Sequence, residues 1–302
     1  MTNKEEFKKN LSEFALGLRD YLTYGDGEWT VKGFIDIYKN IYTISSDTKI
    51  VSKILEIHLF PKIIEFGKKY GYKIVLTDHQ NYYPDISFVK DDDRSVMFAV
   101  DLKTTYRDHN FLGHINGFTL GSHGSYFQNR EGKKNIQFPY SKYSGHFCLG
   151  IIYSRESYDL YDETEVYEVK ELEEGYIKDE NYKYGKVKKL SELKSITSVI
   201  KDVEFFVAEK WQIASDYQGS SNTANIGSIT CIEDLKQGKG VFSDLGEEIF
   251  DEYWMNYGKL IMIKDGKSRK ITLLKDYLEF VGKKELLEKI KSKTTKKKAK
   301  KI

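Results

Sequence analysis

The stretch GHFCLGIIYSR, residues 145–155, restricts the fold more than any other part of the chain. It is a continuous apolar run, not an alternating one, and it fits a strand buried in the middle of a sheet. Such a strand needs cover on both faces. Residues 4–23 can supply some of it, because Phe7, Leu11, Phe14, Leu18 and Leu22 recur near a 3.6-residue period. A second helix is expected to start at Ser46 or Asp47, either a good N-cap, and to run to about Tyr70, with Gly71 as its C-terminal stop. Pro61 lies inside that helix and is expected to kink or split it. GDGEWTVKGFIDIYKNIYTI reads as one or two strands. YKIVLT, YPDISFV and SVMFAVDLKTTY read as three more, the last two as a hairpin, and VEFFVAEKWQIA reads as a strand pair. Strands and helices are mixed without regular alternation. The expected class is therefore α/β, with a mixed central β-sheet flanked by helices.

Residues 108–135 are rich in Gly, His, Asn and Ser, a composition of loops that carry function. Residues 156–200 are highly charged and read as an exposed insertion. The expected division is a main domain over 1–258, followed by a C-terminal helix and Lys-rich tail over 259–302. Lys and Arg number 48 against 46 Asp and Glu, a formal net charge of +2. Bulk charge thus announces no polyanionic partner, and any basic footprint must be local. The tail KTTKKKAKKI could add salt-sensitive, non-specific affinity for nucleic acid or serve as a solubilising end. Cys148 and Cys231 form no CxxC framework, which suits a reducing cytoplasm. The N-terminus lacks the pattern of a signal peptide and no run approaches 18 apolar residues. A cytoplasmic location is expected.

The chemistry concentrates in HQNYYPDISFVKDDDRSVMFAVDLKTTY, residues 79–106. Alternate side chains on a strand share a face. Asp101 and Lys103 therefore face one way while Val100 and Leu102 face the other. If the preceding strand pairs with this one, Asp85 lies beside Asp101. Two adjacent carboxylates repel, and the proton affinity of one rises. A divalent cation removes that cost, and an all-oxygen ligand set suits Mg²⁺, which keeps several waters and binds phosphate oxygens. Lys103 would then sit near the attacking water and a phosphate oxygen. This is the PD-(D/E)xK arrangement of metal-dependent nucleases. Without the strand context the same residues would be a solvated hairpin edge with an ion pair.

A second stretch, DYQGSSNTANIGS (216–228), has the composition of a turn. Its Asn residues could pair bidentately with adenine in the major groove, and its Thr methyl could touch a thymine methyl. DHNFLGH (108–114) hints at a His-metal nuclease motif, but no matching downstream spacing follows.

In order along the chain, SDTK…S.I.E…P.II (46–64), QN.YPD (80–85), A.D.KTTY (99–106), FTLG (118–121), KNI..P (134–139), KW.IA.D..GS.NT.NIGSI (210–229) and GKG.F (238–242) resemble the EcoRV-like type II restriction endonucleases of the PD-(D/E)xK superfamily. The resemblance implies a restriction-endonuclease-like core and a homodimer clamped on double-stranded DNA. It implies Mg²⁺-dependent hydrolysis, with Mn²⁺ able to substitute, at a short palindrome. GATATC cut bluntly to leave 5′-phosphates is the expected target. Asp85 and Asp101 are implied as metal ligands, Lys103 as the active-site lysine and Glu56 as an additional helix carboxylate at the metal. Gly219, Ser220, Ser221, Asn222 and Thr223 match the major-groove recognition loop, and Gln80 and Asn81 the minor-groove loop. Thr48, Lys49, Thr104, Thr105, Tyr106, Ser125 and Asn225 match phosphate-contacting positions, which fix register rather than read bases. Ser221 and Ala224 depart from the family's loop, where Gly and Thr stand. A cognate DNA methyltransferase is expected in the same system, though not as a physical partner. The alternative is a PD-(D/E)xK nuclease with another target or a structure-specific repair role. A catalytically dead DNA-binding relative is opposed by the intact Asp85, Asp101 and Lys103.

Overall fold

The computed structural model describes residues 1–77, 79, 81–156, 166–169, 186–188, 190–219, 224–264 and 266–290. Helix α1 spans Asn3–Leu22 and starts at a capping box, in which Thr2 and Glu5 bond each other's backbone N–H groups. Helix α2 spans Thr48–Tyr70. Asp47 caps it by accepting from the Lys49 and Ile50 N–H groups, and Gly71 ends it in the left-handed conformation. Pro61 does not split it, one of the two outcomes expected of a proline inside a helix. Proline denies a hydrogen bond to the carbonyl four residues earlier, here that of Ile57. Both Pro61 and Ile57 lie on the exposed side of the helix, where water can serve that carbonyl. Val51, Leu55, Leu59, Ile63 and Phe66 meanwhile hold the opposite side in the core.

Five strands make the body of the central sheet: β1 (Tyr72–Leu76), β2 (Ile86–Lys90), β3 (Met97–Tyr106), β4 (Gly145–Arg155) and β5 (Ile200–Glu209). Their spatial order is β5-β4-β3-β2-β1, and two short strands, Glu28–Trp29 and Thr23–Tyr24, extend the β5 edge. β3 and β4 run parallel while the other neighbours in the body are antiparallel, so the sheet is mixed. The run that opened the sequence reading is β4, near the middle of the sheet and buried from Gly145 to Tyr153. Gly150 faces Phe206 of β5 in register, and a Cβ there would lie 2.0 Å from the Phe206 ring.

The two faces of the sheet are covered differently. On one, α1 and α2 bring Phe7, Leu11, Leu18, Leu55, Leu59 and Phe66 onto Phe98, Val100, Leu102, Phe147, Leu149 and Ile151. Phe7 stacks on Phe98 with ring centroids 4.2 Å apart. On the other, Ala99, Cys148, Ile152, Phe206 and Ala208 meet Tyr83, Phe127, Tyr140 and the helix Glu247–Asn256. Ile271 and the helix Leu274–Phe280 pack into this same second core. KWQIA does not extend a strand as expected: Lys210–Ile213 is a helical turn between β5 and the strand Ala214–Gln218. Glu209 and Gln212 form a capping box around it, which satisfies the backbone locally and stops the ladder.

GDGEWTVKGFIDIYKNIYTI breaks into three short strands, not one or two. Two of them, Gly33–Ile35 and Asn40–Thr43, join Val166–Val169 and Lys186–Lys188 in a four-stranded sheet. The charged insertion is thus tied to the N-terminal part of the chain, with Tyr167, Ile196 and Ile41 forming a small buried cluster. The remainder of 157–185 and the tail 291–302 lie outside the described residues. Among the described residues no helix is long and apolar enough to cross a membrane.

Candidate active site

β2 and β3 pair antiparallel with Ile86 opposite Val100. One step further along that register sets Asp85 opposite Asp101. Asp85 and β3 bond reciprocally: the Leu102 N–H donates to Asp85 Oδ2 at 2.8 Å, and the Asp85 N–H donates to Asp101 Oδ1 at 3.3 Å. Lys103, two residues along on the same face, places its Nζ 3.0 Å from Asp101 Oδ2. Leu102 between them points into the core beneath α1 and α2.

Burial raises the pKa of Asp85 to about 6, and the charge of Asp101 adds to that; Lys103 and the Leu102 N–H oppose it. Burial alone would push the Lys103 ammonium down, but Asp101 and Asp85 outweigh it and hold the proton above the usual lysine range. Glu56 projects from α2, paired with Lys53 at 2.7 Å, and its charge is felt at Asp85. Among the described residues no three His, Cys, Asp or Glu groups converge as a ready metal cluster. The carboxylates that could hold a metal here are those of Asp85 and Asp101. Two hard oxygen donors, electrostatically unsatisfied by the single ammonium beside them, fit a divalent cation that retains water.

Lys210 is a member of this neighbourhood that the sequence reading placed in a strand. It is 4 % exposed. Its Nζ has no hydrogen-bond partner among the described residues. The rings of Phe127, Tyr83 and Tyr140 surround it, with centroids at 5.1, 5.2 and 5.6 Å. Tyr83 precedes the Pro84-Asp85 pair and bonds His146 Nδ1 through its hydroxyl at 2.9 Å. The signal in the sequence was a lysine closing the run VEFFVAEK. Burial depresses the Lys210 pKa to about 8, against the favourable charges of Asp101 and Asp251. A lysine with a depressed folded-state pKa adds stability above its unfolded pKa and loses it as pH falls through the folded one. Lys210→Met is accordingly expected to stabilise the fold at pH 7 by about 1–3 kcal/mol, the ring contacts offsetting part of the burial cost. The gain should shrink as pH rises from about 8 toward 10. Urea unfolding across that range measures it, and a destabilised variant at pH 7 would refute it.

The DNA-contact candidates scatter more widely. Thr48 and Lys49 open α2, with Lys49 exposed. Thr105 faces the same way as Asp101 and Lys103, but it is buried and its hydroxyl donates to the Asn116 carbonyl, so it is committed inside the protein. Thr104 and Tyr106 face the helix side, where the Arg155 guanidinium lies 3.6 Å from the Tyr106 ring centroid. Ser125 opens the short helix Ser125–Gln128, and its hydroxyl donates to the Lys134 carbonyl at 3.2 Å. Asn81 is exposed in a turn. Gly219 and Asn225 bracket the recognition segment, the Gly219 N–H donating to the Asn225 carbonyl at 3.0 Å. Gln80, Ser220, Ser221, Asn222 and Thr223 lie outside the described residues.

A mixed sheet covered by helices, with a Pro-Asp entering one strand and Asp-x-Lys on the next, defines a restriction-endonuclease-like, phosphodiester-hydrolysing core. The comparisons with known proteins narrow this class. The family model described as "Restriction endonuclease EcoRV" matches residues 25–178 and 175–282. The type II restriction enzyme EcoRV of Escherichia coli is 32% identical over 252 residues, covering 83% of this chain and 91% of that protein. The chain belongs to the EcoRV family of type II restriction endonucleases. DNA is its substrate, and enzymes of this family depend on divalent metal ions.

Proposed function

We propose that this protein is a Mg²⁺-dependent, homodimeric cytoplasmic endonuclease that cuts both strands of a short DNA palindrome, GATATC with blunt 5′-phosphate ends. The observation that carries the reading is the Asp85–Asp101–Lys103 constellation, two carboxylates that each accept from a backbone N–H of the neighbouring strand, with one ammonium on the same face. Asp85 and Asp101 would hold the metal, with Glu56 near enough to bias the site or serve a second ion. When bound, Mg²⁺ supplies a nucleophilic water and neutralises charge building on the phosphoryl group. Lys103 holds its proton firmly beside the two carboxylates. It therefore acts as a hydrogen-bond donor and charge stabiliser toward a non-bridging phosphate oxygen. Lys210 places a further positive charge toward Asp101, at the stability cost described above.

Cutting both strands of a palindrome needs two active sites related by a two-fold axis, and one chain carries one. The edge strand Gly33–Ile35 and the turn beyond it expose Phe34, Ile35 and Ile37 at 52, 60 and 85 %. A second copy seated there would cover them. Residues 219–223 read bases in the major groove, and the flexible central TA step of GATATC contributes through deformation. A cognate methyltransferase protecting host DNA belongs to the same system.

The test is to sequence the ends of a long DNA digested by the purified protein with Mg²⁺, beside an EDTA control. Blunt ends centred in GATATC are expected. Cuts at another palindrome would refute the assigned target while keeping the enzyme. No cleavage with any divalent metal would overturn the reading.

A further inference from the structure

His123 stands just past the strand Thr119–Ser122 and is 7 % exposed. Its ring packs against Trp254 and Tyr257, each with centroids 5.2 Å away. Its carbonyl accepts from Gln128 Nε2 at 3.0 Å. The residue is thus fixed from two directions by the body of the protein. Its two remaining polar contacts go to the hairpin that carries the recognition segment. The ring Nε2 lies 2.8 Å from Gln218 Nε2, where a neutral imidazole accepts from the Gln218 amide. The backbone N–H donates to the Ala224 carbonyl at 2.8 Å. Gln218 ends one strand of the hairpin, and Ala224 immediately precedes the other, Asn225–Ser228. A single buried residue therefore grips both flanks of residues 219–223.

We propose that His123 is a positioning residue for sequence recognition, a clamp that fixes both ends of residues 219–223 so that their base-reading groups meet DNA in one arrangement. This rests on the reading that the segment contacts bases. A segment with tethered ends loses less conformational freedom on binding, and a misplacement of about 1 Å weakens every contact it makes. The clamp therefore acts on discrimination between sequences. It touches neither the phosphate nor the catalytic groups.

His123→Phe keeps the packing against Trp254 and Tyr257 and removes the ring nitrogen. Gln218→Leu removes the partner. Each should lower the ratio of cleavage at the preferred sequence to cleavage at one-base variants by about 3- to 30-fold, and the double variant should be no worse than either single one. The readout is cleavage of a randomised DNA library by the full-length protein with Mg²⁺. Amide hydrogen exchange at Gly219 and Asn225 should accelerate in both variants without DNA. Asn222→Ala in the same assay separates the two claims. If Asn222→Ala lowers the ratio and His123→Phe and Gln218→Leu leave it unchanged, the clamp is wrong while the segment remains the reader. If Asn222→Ala also leaves it unchanged, the segment is not the reader and the clamp falls with it. Additive losses in the double variant would mean that the two residues act separately, which overturns the clamp.

Discussion

Asp85→Asn should abolish Mg²⁺-dependent cleavage while making the metal-free protein more stable at pH 7. Enzyme variants that lose activity usually invite the suspicion of misfolding, and here the two effects have opposite signs. The folded-state pKa of Asp85 is raised to about 6, through burial and then through Asp101. A carboxyl with a raised folded-state pKa has its full stability below the unfolded value and loses it as pH rises through the folded one. At pH 7 the ionised group therefore costs about 1–3 kcal/mol, which asparagine avoids while still accepting from the Leu102 N–H. The advantage of the variant should vanish as pH falls from about 6 toward 4. Asp101→Ala should be equally inactive but less stable, because it strips Lys103 of its 3.0 Å partner and leaves a poorly compensated ammonium. Cleavage of plasmid DNA should fall by roughly 10³-fold or more in both. Thermal melts of the two variants side by side complete the measurement. Retained cutting by either would remove it from the site, and a destabilised Asp85→Asn at pH 7 would contradict the electrostatics.

Asn222→Ala should relax recognition rather than stop catalysis. A bidentate Asn–adenine pair contributes about 1–3 kcal/mol of discrimination, roughly a 5- to 150-fold change in preference at one base position. Cleavage rates on oligonucleotide duplexes carrying each of the four bases at every position would locate the affected base. A uniform drop at all positions would assign Asn222 to positioning instead.

The parts of this molecule that local pattern determines were legible in its sequence. Asp47, Tyr70 and Gly71 bounded α2 to within a residue, because capping chemistry acts between near neighbours. The apolar run at 145–155 identified β4 and implied the covered sheet. Alternation alone put Asp101 and Lys103 on one face, and the hairpin brought Asp85 to them. Partners set by tertiary contact were not legible. Pro61 was expected to kink or split a helix that Val51, Leu55, Leu59, Ile63 and Phe66 hold in the core from the other side, and the helix is not split. Lys210 looked like part of a strand, since nothing local reveals that Tyr83, Phe127 and Tyr140, all distant in sequence, converge on its ammonium. Nothing local in the sequence marks His123, whose partners Gln218 and Ala224 are brought to it by the fold. Val166–Val169 fell inside a charged insertion, and its pairing with Asn40–Tyr42 on one side and Lys186–Lys188 on the other makes it part of a sheet.

The reciprocal bonds between Asp85 and β3 have a consequence for how the chain acquires its activity. A slip of one residue between β2 and β3 would exchange the faces of β3. Asp101 and Lys103 would then be driven under α1 and α2 among Phe7, Phe66 and Phe147, and Phe98, Val100 and Leu102 would be turned out of that layer. Mispaired chains are thus heavily penalised and also lack the carboxylate pair. The enzyme becomes armed only in the one register that also completes its core, so quality control of folding and control of a DNA-cutting activity are built into the same ladder.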